Sequence, residues 1–423
     1  MTTNDQKDYL LTPYRVLDLT GETGFMCGKL LGDLGAEVIL VEPPDGHPAR
    51  AIGPFYRDDP HPEKSLFWFA FNTSKKGITL DLTRLAGQKL LKELVRQTDI
   101  VVESFAPGYL DALGLGYAVL SAIKPDLIFT SITPFGQTGP RKDWKGTDLT
   151  LQARCGFQYL LGDPDRAPVR ISVPMLAVKA GVEAANATLF ALFYRNTHGE
   201  GQHIDVSIQA TGVWQMMNAT SFPKHHGVNQ ARAGDRYNAG FGNARAILPC
   251  ADGYVTFFTA GGHMGAPTLY AMSRWMESEG KLPDVMRGKK WEEWDLARLS
   301  QDAKAQQEMD DLNETIAAFL ATKSKWEIWE RAFKERILAA PVNNVKDIVE
   351  HPQPNARGFF RPLAHPELDA EIRYPGHWAL MNNAQAGPRF RAPRIGEHNE
   401  EIYCQWLGYG KEQLRVWQRE GVV

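Results

Sequence analysis

Residues 131–208 read SITPFGQTGPRKDWKGTDLTLQARCGFQYLLGDPDRAPVRISVPMLAVKAGVEAANATLFALFYRNTHGEGQHIDVSI. A short strand-like run comes first, and Gly136, Gly139 and Pro140 close it as a turn, because glycine adopts positive φ and proline ends an element. An apolar, alanine-rich segment over residues 178–194 predicts a helix, and the alternation of residues 203–208 predicts a strand. A helix with so little polar surface is usually buried.

The residues at the start of this predicted helix would enter the protein interior. Residues 174–179 read PMLAVK and contain neither aspartate nor glutamate. The start of a helix favours a negative group, because its unpaired N–H groups and the helix dipole attract one. The position therefore suits a carboxylate that this sequence does not supply.

Strand and helix patterns alternate through the first hundred residues. We predict strands and helices in the order strand, helix, strand, strand, helix, strand at residues 15–19, 24–34, 36–42, 78–82, 86–97 and 99–103. Such β-α-β units build a parallel sheet, whose ligands bind beyond the carboxyl ends of the strands. Pro107 and Gly108 are therefore candidates for a ligand loop. Gly21 and Gly24 do not form the G-x-G-x-x-G pattern of dinucleotide-binding folds.

Composition limits the classes of protein to consider. The chain has 423 residues, 43% of them hydrophobic and 23% charged, as in ordinary globular proteins. A net charge of -3 and a pI near 6.4 give no reason to expect a nucleic-acid partner. No apolar run approaches the roughly 20 residues of a membrane span, and the polar N-terminus shows no signal sequence. We therefore expect a cytoplasmic protein without a membrane segment.

Cysteine and histidine patterns do not predict a metal site. The four cysteines are widely spaced and show no C-x-x-C pair, which favours reduced thiols. His225 and His226 are adjacent, in a predicted turn, and no third ligand follows at the usual spacing.

Several motifs resemble the family III CoA-transferases, the family of formyl-CoA transferase. They are VLDLTGETGFMCGKLLGDLGAEVILVEPPDGHPAR at residues 16–50, GQTGP at 136–140, GTDLTLQA at 146–153, RNTHGEGQHIDVS at 195–207 and APRIGEHN at 392–399. The resemblance implies an α/β fold with a large, Rossmann-like parallel-sheet domain, a small α+β domain and an interlocked dimer. We place the large domain at residues 1–225 and 336–423, and the small domain, rich in tryptophan, at 226–335.

The resemblance gives the empty helix start a chemical meaning. Members of the family carry an aspartate four residues before the glycine of the buried helix. That glycine is Gly181, so the expected aspartate position is Ala177. The family's aspartate attacks an acyl-CoA thioester and forms a mixed anhydride and then an aspartyl-CoA thioester. A methyl group cannot act as this nucleophile.

Asp148 matches the position of an active-site acid in the family and is a supporting acid under this interpretation. It equally suits a cap for a predicted helix at residues 149–153. The related acyl-CoA racemases have a histidine directly before this acid, whereas this sequence has Thr147.

Five residues are candidates for binding coenzyme A. The resemblance assigns Asn72, Lys75, Phe105 and Lys145 to the adenine, ribose and phosphates. Lys76, with Lys75, follows an aromatic run, as expected where an adenine rests on an apolar wall and ammonium groups meet phosphates. A solvated turn would show the same spacing. Ala112 stands where formyl-CoA transferase has an arginine, which weakens the phosphate contact expected here.

Other segments suggest a cover and an acceptor pocket. Family members cover the active site with a glycine-rich loop, for which residues 240–242 and 261–265 are candidates, although both also suit hairpin connections. The residues that suit an aryl-substituted dicarboxylate are Phe157, Tyr159, Trp214 and Phe222, with Arg154 or Arg170 for its free carboxylate; each equally suits a structural role.

Three functions remain open from the sequence. The first is the subunit of a CoA-transferase that lacks the nucleophile, with a homologous partner subunit that carries the catalytic aspartate, as in two-subunit transferases of anaerobic aromatic degradation. The second is an acyl-CoA isomerase or lyase that uses Asp148, and the third is a non-catalytic CoA-binding scaffold. A homodimeric transferase with an unrecognised nucleophile is a further alternative. In all of them coenzyme A or acyl-CoA is a substrate or ligand, and we expect no permanently bound cofactor.

Overall fold

The computed structural model describes residues 9–238, 243–294 and 302–423. The chain divides into two compact units. The large unit consists of the residues up to 157 and of residues 170–227 and 352–423, and the small unit consists of residues 158–169 and 228–351. Compared with the predicted small domain of 226–335, this small unit continues to residue 351 and also contains residues 158–169. Those residues belong to it because the N–H of Gly234 donates to the carbonyl of Gly162, and Arg232 donates to the carbonyl of Asp163.

The large unit is built on a six-stranded parallel sheet with the strand order β3-β2-β1-β4-β5-β6. The strands are β1 Arg15–Leu19, β2 Glu37–Glu42, β3 Lys75–Thr79, β4 Ile100–Glu103, β5 Ile128–Thr133 and β6 Gln202–Ser207. The predicted alternation is confirmed, except that β3 begins three residues earlier than expected, since Lys75 pairs with Val38 of β2.

Helices connect the strands of this sheet and follow its last strand. They are α1 Phe25–Asp33, α2 Leu66–Phe71, α3 Leu85–Arg96, α4 Tyr109–Ala112, α5 Tyr117–Ile123, α6 Asp148–Arg154, α7 Phe157–Leu160, α8 Met175–His198, α9 Ile208–Gln215 and α10 Met217–His226, of which α7 crosses the boundary to the small unit. The predicted turn at residues 224–226 is therefore wrong, because these residues complete the last turn of α10.

Helices α1 and α8 pack on one face of the sheet, where Ala180 and Ala184 of α8 are buried. Gly181 lets them approach closely, since a Cβ atom at this position would lie 2.6 Å from the Cβ of Met26. The small residues of α8 therefore allow close contact between the two helices.

Helices α3 and α5 cover the other face, together with the returning C-terminal segment. This segment, residues 352–423, contains a short helix at Pro352–Ala356, hairpin strands at Phe360–His365 and Ala370–Pro375, a π-helix at Glu400–Trp406 and a helix at Lys411–Arg419. Its residues Asn399 and Tyr403 bond to Thr79 of the edge strand β3. The fold of the large unit therefore includes segments from both ends of the described residues.

Helix α8 is long and apolar enough to cross a membrane by length and composition alone, contrary to our expectation that no segment is. It passes this test because its many alanines are mildly apolar. In the fold it packs against α1, α9, β5 and β6, and half of its most apolar window is buried.

The small unit contains short strands and longer helices. They are β7 Arg236–Asn238, β8 Asn243–Arg245, β9 Ile247–Cys250, β10 Gly253–Phe257, β11 Ala339–Pro341, α11 Gly262–Ser278, α12 Ala303–Leu320, α13 Lys325–Glu335 and α14 Val345–Glu350. Trp275 and Trp291 are buried in its core, whereas Trp326 is 54% exposed. Of the two glycine-rich candidates for a cover loop, residues 261–265 begin α11 and are not a loop, and residues 240–242 lie outside the described residues.

Candidate functional site

A cavity of about 780 Å³ lies at the carboxyl ends of the parallel strands. The segments that follow β1 to β5 line it, together with residues 142–147; they include residues 19–23, 41–43, 80–83 and 104–107 and Pro134. This is the edge at which α/β sheets bind ligands, and the volume is in the range of small-molecule sites. We take this cavity as the candidate site.

The loop after β4 forms one wall of the cavity. Phe105 stacks on Tyr109 with a centroid distance of 4.9 Å and an interplanar angle of 28°. The hydroxyl of Ser104 accepts a hydrogen bond of 2.8 Å from the N–H of Gly21, which connects this loop to the one after β1. Phe105 therefore presents an aromatic ring at the cavity, as its predicted role requires.

Basic and aromatic side chains line the opposite wall. Lys142 and Lys145 are exposed at the cavity, and Trp144 lies between them in sequence. The guanidinium of Arg141 lies 4.2 Å from the Trp144 ring, and that of Arg154 lies 5.1 Å from it. This wall carries positive charge that suits phosphate or carboxylate groups.

His47 lines the cavity as a neutral imidazole. Its Nδ1 accepts a hydrogen bond from the N–H of Ala49, so the ring proton is on Nε2. The ring contacts Phe25 and Trp68, and burial lowers the pKa of His47. In the described part of the chain Nε2 has no protein partner, which leaves an N–H donor for a ligand.

Asn72, just before β3, and Lys75, its first residue, are buried and do not line the cavity. The Nζ of Lys75 lies 2.8 Å from a carboxylate oxygen of Asp18, and it donates to Asn72 and to the carbonyl of Phe25. Burial lowers the pKa of Lys75, and Asp18 opposes this effect. This geometry gives both residues a role in holding α1 on the sheet, and their contact with coenzyme A stays a prediction.

Lys76 lies at the amino ends of the strands, away from the cavity. Its ammonium group is 2.7 Å from Glu37 and 2.5 Å from Glu401. Of the five residues predicted to bind coenzyme A, the structure brings only Phe105 and Lys145 to the cavity.

Ala177 lies in the first turn of α8 and is 8% exposed. The carboxylate of Asp148 reaches this turn: Oδ1 accepts from the N–H groups of Leu176 at 2.9 Å and Ala177 at 3.4 Å, and Oδ2 accepts from Gln152 at 2.5 Å. Asp148 therefore stabilises the start of α8, while Thr147 is the N-cap of α6. Thr147 also lines the cavity, so the turn at Asp148 connects Ala177 to the cavity wall.

The predicted acceptor residues are dispersed. Trp214 is 60% exposed and lies in a separate surface groove with Val213 and Met217. Tyr159 and Arg170 are exposed, and only Arg154 approaches the cavity wall, through its contact with Trp144. Among the described residues, no group of three or more metal-binding side chains is present.

Sequence reasoning missed His47, Ser104 and Trp144. Ser104 directly follows a predicted strand, and this position alone was a usable signal. Trp144 stands between two lysines, which was a weaker signal. His47 follows a proline-rich turn, and no sequence pattern indicated that its ring would enter the cavity.

Comparison with family models and solved structures gives a consistent result. The model described as CoA-transferase family III matches residues 11–399. A CAIB/BAIF family protein from Brucella suis has a similar structure, with a TM-score of 0.81 at 27% identity over 94% of this chain and all of that chain.

Two relatives are described as subunits. Subunit BbsE of succinyl-CoA:(R)-benzylsuccinate CoA-transferase from Thauera aromatica is 34% identical over 97% of both chains. The beta subunit of succinyl-CoA--L-malate CoA-transferase from Chloroflexus aurantiacus is 29% identical over 94% of both.

Proposed function

Because this chain belongs to CoA-transferase family III, we propose that it is the subunit of a two-chain transferase that lacks the nucleophile. The complex would move coenzyme A between an acyl-CoA such as succinyl-CoA and a carboxylic acid, with an aromatic succinate as the candidate acceptor. The observation that carries this proposal is the methyl group of Ala177 in the first turn of the buried helix α8, where the family resemblance places an aspartate.

The relatives support both parts of the proposal. BbsE and the malate transferase beta subunit are named as subunits of succinyl-CoA-dependent enzymes. The name of the former also describes benzylsuccinate as its acceptor, which supports an aromatic succinate here.

The chemistry needs a carboxylate from the partner chain. That carboxylate attacks the thioester carbonyl, the C–S bond breaks and coenzyme A leaves as the thiolate. The thiolate then attacks the aspartyl carbonyl of the mixed anhydride and releases the first acid, leaving an aspartyl-CoA thioester. The acceptor carboxylate attacks this thioester, and the displaced thiolate attacks the acceptor's acyl carbon, which frees the aspartate.

This chain would contribute a binding site. Phe105 offers a ring for the adenine, and Lys145 offers an ammonium group for phosphate. The Nε2–H of His47 offers a neutral donor to a carbonyl oxygen of the ligand, because a neutral imidazole donates without adding charge.

Asp148 is poorly suited to the isomerase or lyase alternative. Its carboxylate accepts three N–H groups, from Leu176, Ala177 and Gln152, which take three of its roughly four lone-pair sites and make it a weaker general base. The same contacts suit a residue that fixes the start of α8.

The exposed surface of α8 supports association with a second chain. Phe190 is 74% exposed and Phe193 is 72% exposed, on a helix whose other side is in the core. Large apolar side chains at this density are typical of a surface that a partner covers. We propose that the homologous partner covers it in an interlocked arrangement.

The test is reconstitution of activity. The purified chain is assayed alone and then with the homologous chain that copurifies with it and has an aspartate at the position aligned with Ala177. The assay follows transfer of coenzyme A from succinyl-CoA to benzylsuccinate, and hydroxylamine traps any acyl-enzyme for mass mapping.

We expect activity only in the mixture, with the label on the partner's aspartate and no activity when that residue is changed to alanine. Activity of the isolated chain, with a label on one of its own carboxylates, would refute the proposal. A complex that binds acyl-CoA without transferring it would instead favour the scaffold alternative.

A further inference from the structure

Glu103 is a buried carboxylate directly behind the cavity loop. It ends β4, it is 4% exposed, and its Oε2 accepts a hydrogen bond of 2.7 Å from the N–H of Phe105. This bond fixes the backbone of the residue whose ring lines the cavity. The cavity loop, residues 104–107, is therefore held from behind by one carboxylate.

Ser131 and His203 lie on the two strands that follow β4 in the sheet order. Ser131 of β5 is the register neighbour of Glu103, and its hydroxyl lowers the pKa of that carboxylate. The Ser131 hydroxyl oxygen lies 2.9 Å from Nε2 of His203 on β6, whose ring stacks on Tyr117. Because a serine has one hydroxyl proton, a hydroxyl turned toward Glu103 leaves its oxygen to accept from the imidazole N–H.

The charges around Glu103 oppose its ionisation. Burial raises the pKa of Glu103 to about 7, and the carboxylates of Asp111 on α4 and Asp205 on β6 add to this effect. The pKa of His203 is lowered by burial, so this neighbour is neutral at pH 7.

We propose that Glu103 is a positioning residue whose ionised carboxylate holds the cavity loop in the form that binds coenzyme A, and that its proton arrives through Ser131 and His203. A carboxylate accepts an N–H bond more strongly than the neutral acid, because the ionised acceptor carries the charge. Protonation therefore weakens the hold on Phe105, and binding becomes dependent on pH near neutrality. This inference rests on the proposed function, since it takes coenzyme A as the ligand.

The test measures binding of dephospho-CoA to the purified chain by calorimetry between pH 5.5 and 8.5. This ligand lacks the 3′-phosphate, whose own titration at about pH 6 would otherwise overlap. In the wild type we expect binding to weaken about fivefold from pH 8 to pH 6, the effect of losing one charge-assisted hydrogen bond. Glu103→Gln should bind at the weaker level throughout, with no pH dependence.

Three further variants separate positioning from a structural role. Ser131→Ala removes a donor to the carboxylate and should move the midpoint to higher pH, whereas Asp111→Asn removes a neighbouring charge and should move it to lower pH. Glu37→Gln is the control, because Glu37 lies at the amino end of β2, whereas the cavity lies at the carboxyl ends of the strands. Equal pH dependence in the wild type and Glu103→Gln would overturn the inference.

A second measurement needs no ligand. Hydrogen exchange of the peptide that contains Phe105, corrected for the intrinsic pH dependence, should show protection that falls about fivefold from pH 8 to pH 6 in the wild type but not in Glu103→Gln. If the wild type does not bind dephospho-CoA at any pH, the proposed function fails, and the exchange result still decides whether Glu103 controls the loop. Unchanged protection would refute that control.

Discussion

The carboxylate Oδ1 of Asp148 lies 3.4 Å from the backbone nitrogen of Ala177, so an acid from another segment is bonded to the first turn of α8. The two residues are 29 positions apart in sequence. The contact places a negative charge at the start of α8, where the helix dipole favours one. The electrostatic requirement of this helix start is therefore met without an aspartate at position 177.

Replacing Asp148 should destabilise the start of α8. Asp148→Ala removes the acceptor of two backbone N–H groups, and we expect a loss of about 1–2 kcal/mol, the usual effect of removing a helix cap. The measurement is the midpoint of thermal unfolding. Asp143→Asn is the control, because Asp143 is an exposed acid in the same segment. Equal midpoints for the wild type and Asp148→Ala would show that the contact contributes no stability.

An aspartate at position 177 should lower the stability of the protein. Ala177→Asp places a second carboxylate beside Asp148 in a nearly buried position, and like charges at this distance disfavour ionisation. The pKa of the new group should rise, so the variant should be less stable than Ala177→Asn at pH 8. The difference should shrink as the pH falls and the new carboxylate takes up a proton. A difference that is independent of pH between 4 and 8 would contradict this account.

Two lysines allow a matched test of the cavity. Lys145→Ala should weaken binding of coenzyme A about tenfold and reduce its dependence on salt, because an ammonium group at the cavity would contact phosphate. Lys76→Ala removes the same charge at the amino ends of the strands, away from the cavity, and should change the affinity for coenzyme A by no more than about twofold. Calorimetry at two salt concentrations measures both. The reverse ranking would place the phosphates elsewhere.

The buried pair of Lys75 and Asp18 should matter for stability. Lys75→Met leaves Asp18 without its cation, and breaking a buried pair in this way costs about 3–5 kcal/mol. The double variant with Asp18→Asn should recover much of that loss, since no charge remains uncompensated. Denaturant unfolding of the two variants gives the comparison, and an additive loss would mean that the two side chains are not coupled.

Stability should also depend on the ionisation of Glu103. The pKa of Glu103 is about 7 in the folded chain against an ordinary value of 4.5, so between these values the folded state binds more protons than the unfolded state. Stability should therefore be greatest below pH 4.5 for this group, fall as the pH rises to about 7 and then stay constant. Glu103→Gln removes this fall, and at pH 8 its gain should approach about 3 kcal/mol. Thermal midpoints of both proteins at pH 5 and 8 test it, and a pH-independent difference would contradict it.

The sheet was largely predictable because most of its strands are buried and have clear apolar patterns. The bounds predicted for β1 agree with the structure, and those of β2 and β4 differ by one residue. The start of β3 was missed because Lys75 resembles a surface residue. Its burial depends on Asp18, a partner from a distant strand that no local pattern reveals.

The site was less predictable, for a related reason. The resemblance assigned Phe105 and Lys145 to coenzyme A, and both line the cavity, whereas Lys76, assigned from the aromatic run before it, lies at the amino ends of the strands. In α13 the i, i+3 spacing of Trp326 and Trp329 would suit one buried face, but the helix buries Ile328 and Ala332 instead. Spacing defines a face of a helix, and only the tertiary structure determines which face is covered.

The contact between β3 and the returning C-terminal segment has a consequence for synthesis of the chain. Thr79 lies on the edge strand, and its partner Asn399 is translated 320 residues later. At about 5–20 residues per second, the edge strand waits roughly 16–64 s for its cover. An uncovered edge strand is a template for pairing with other chains. During this interval, β3 of the nascent chain is open to pairing with strands of other chains, and it is covered once the segment around Asn399 has been translated.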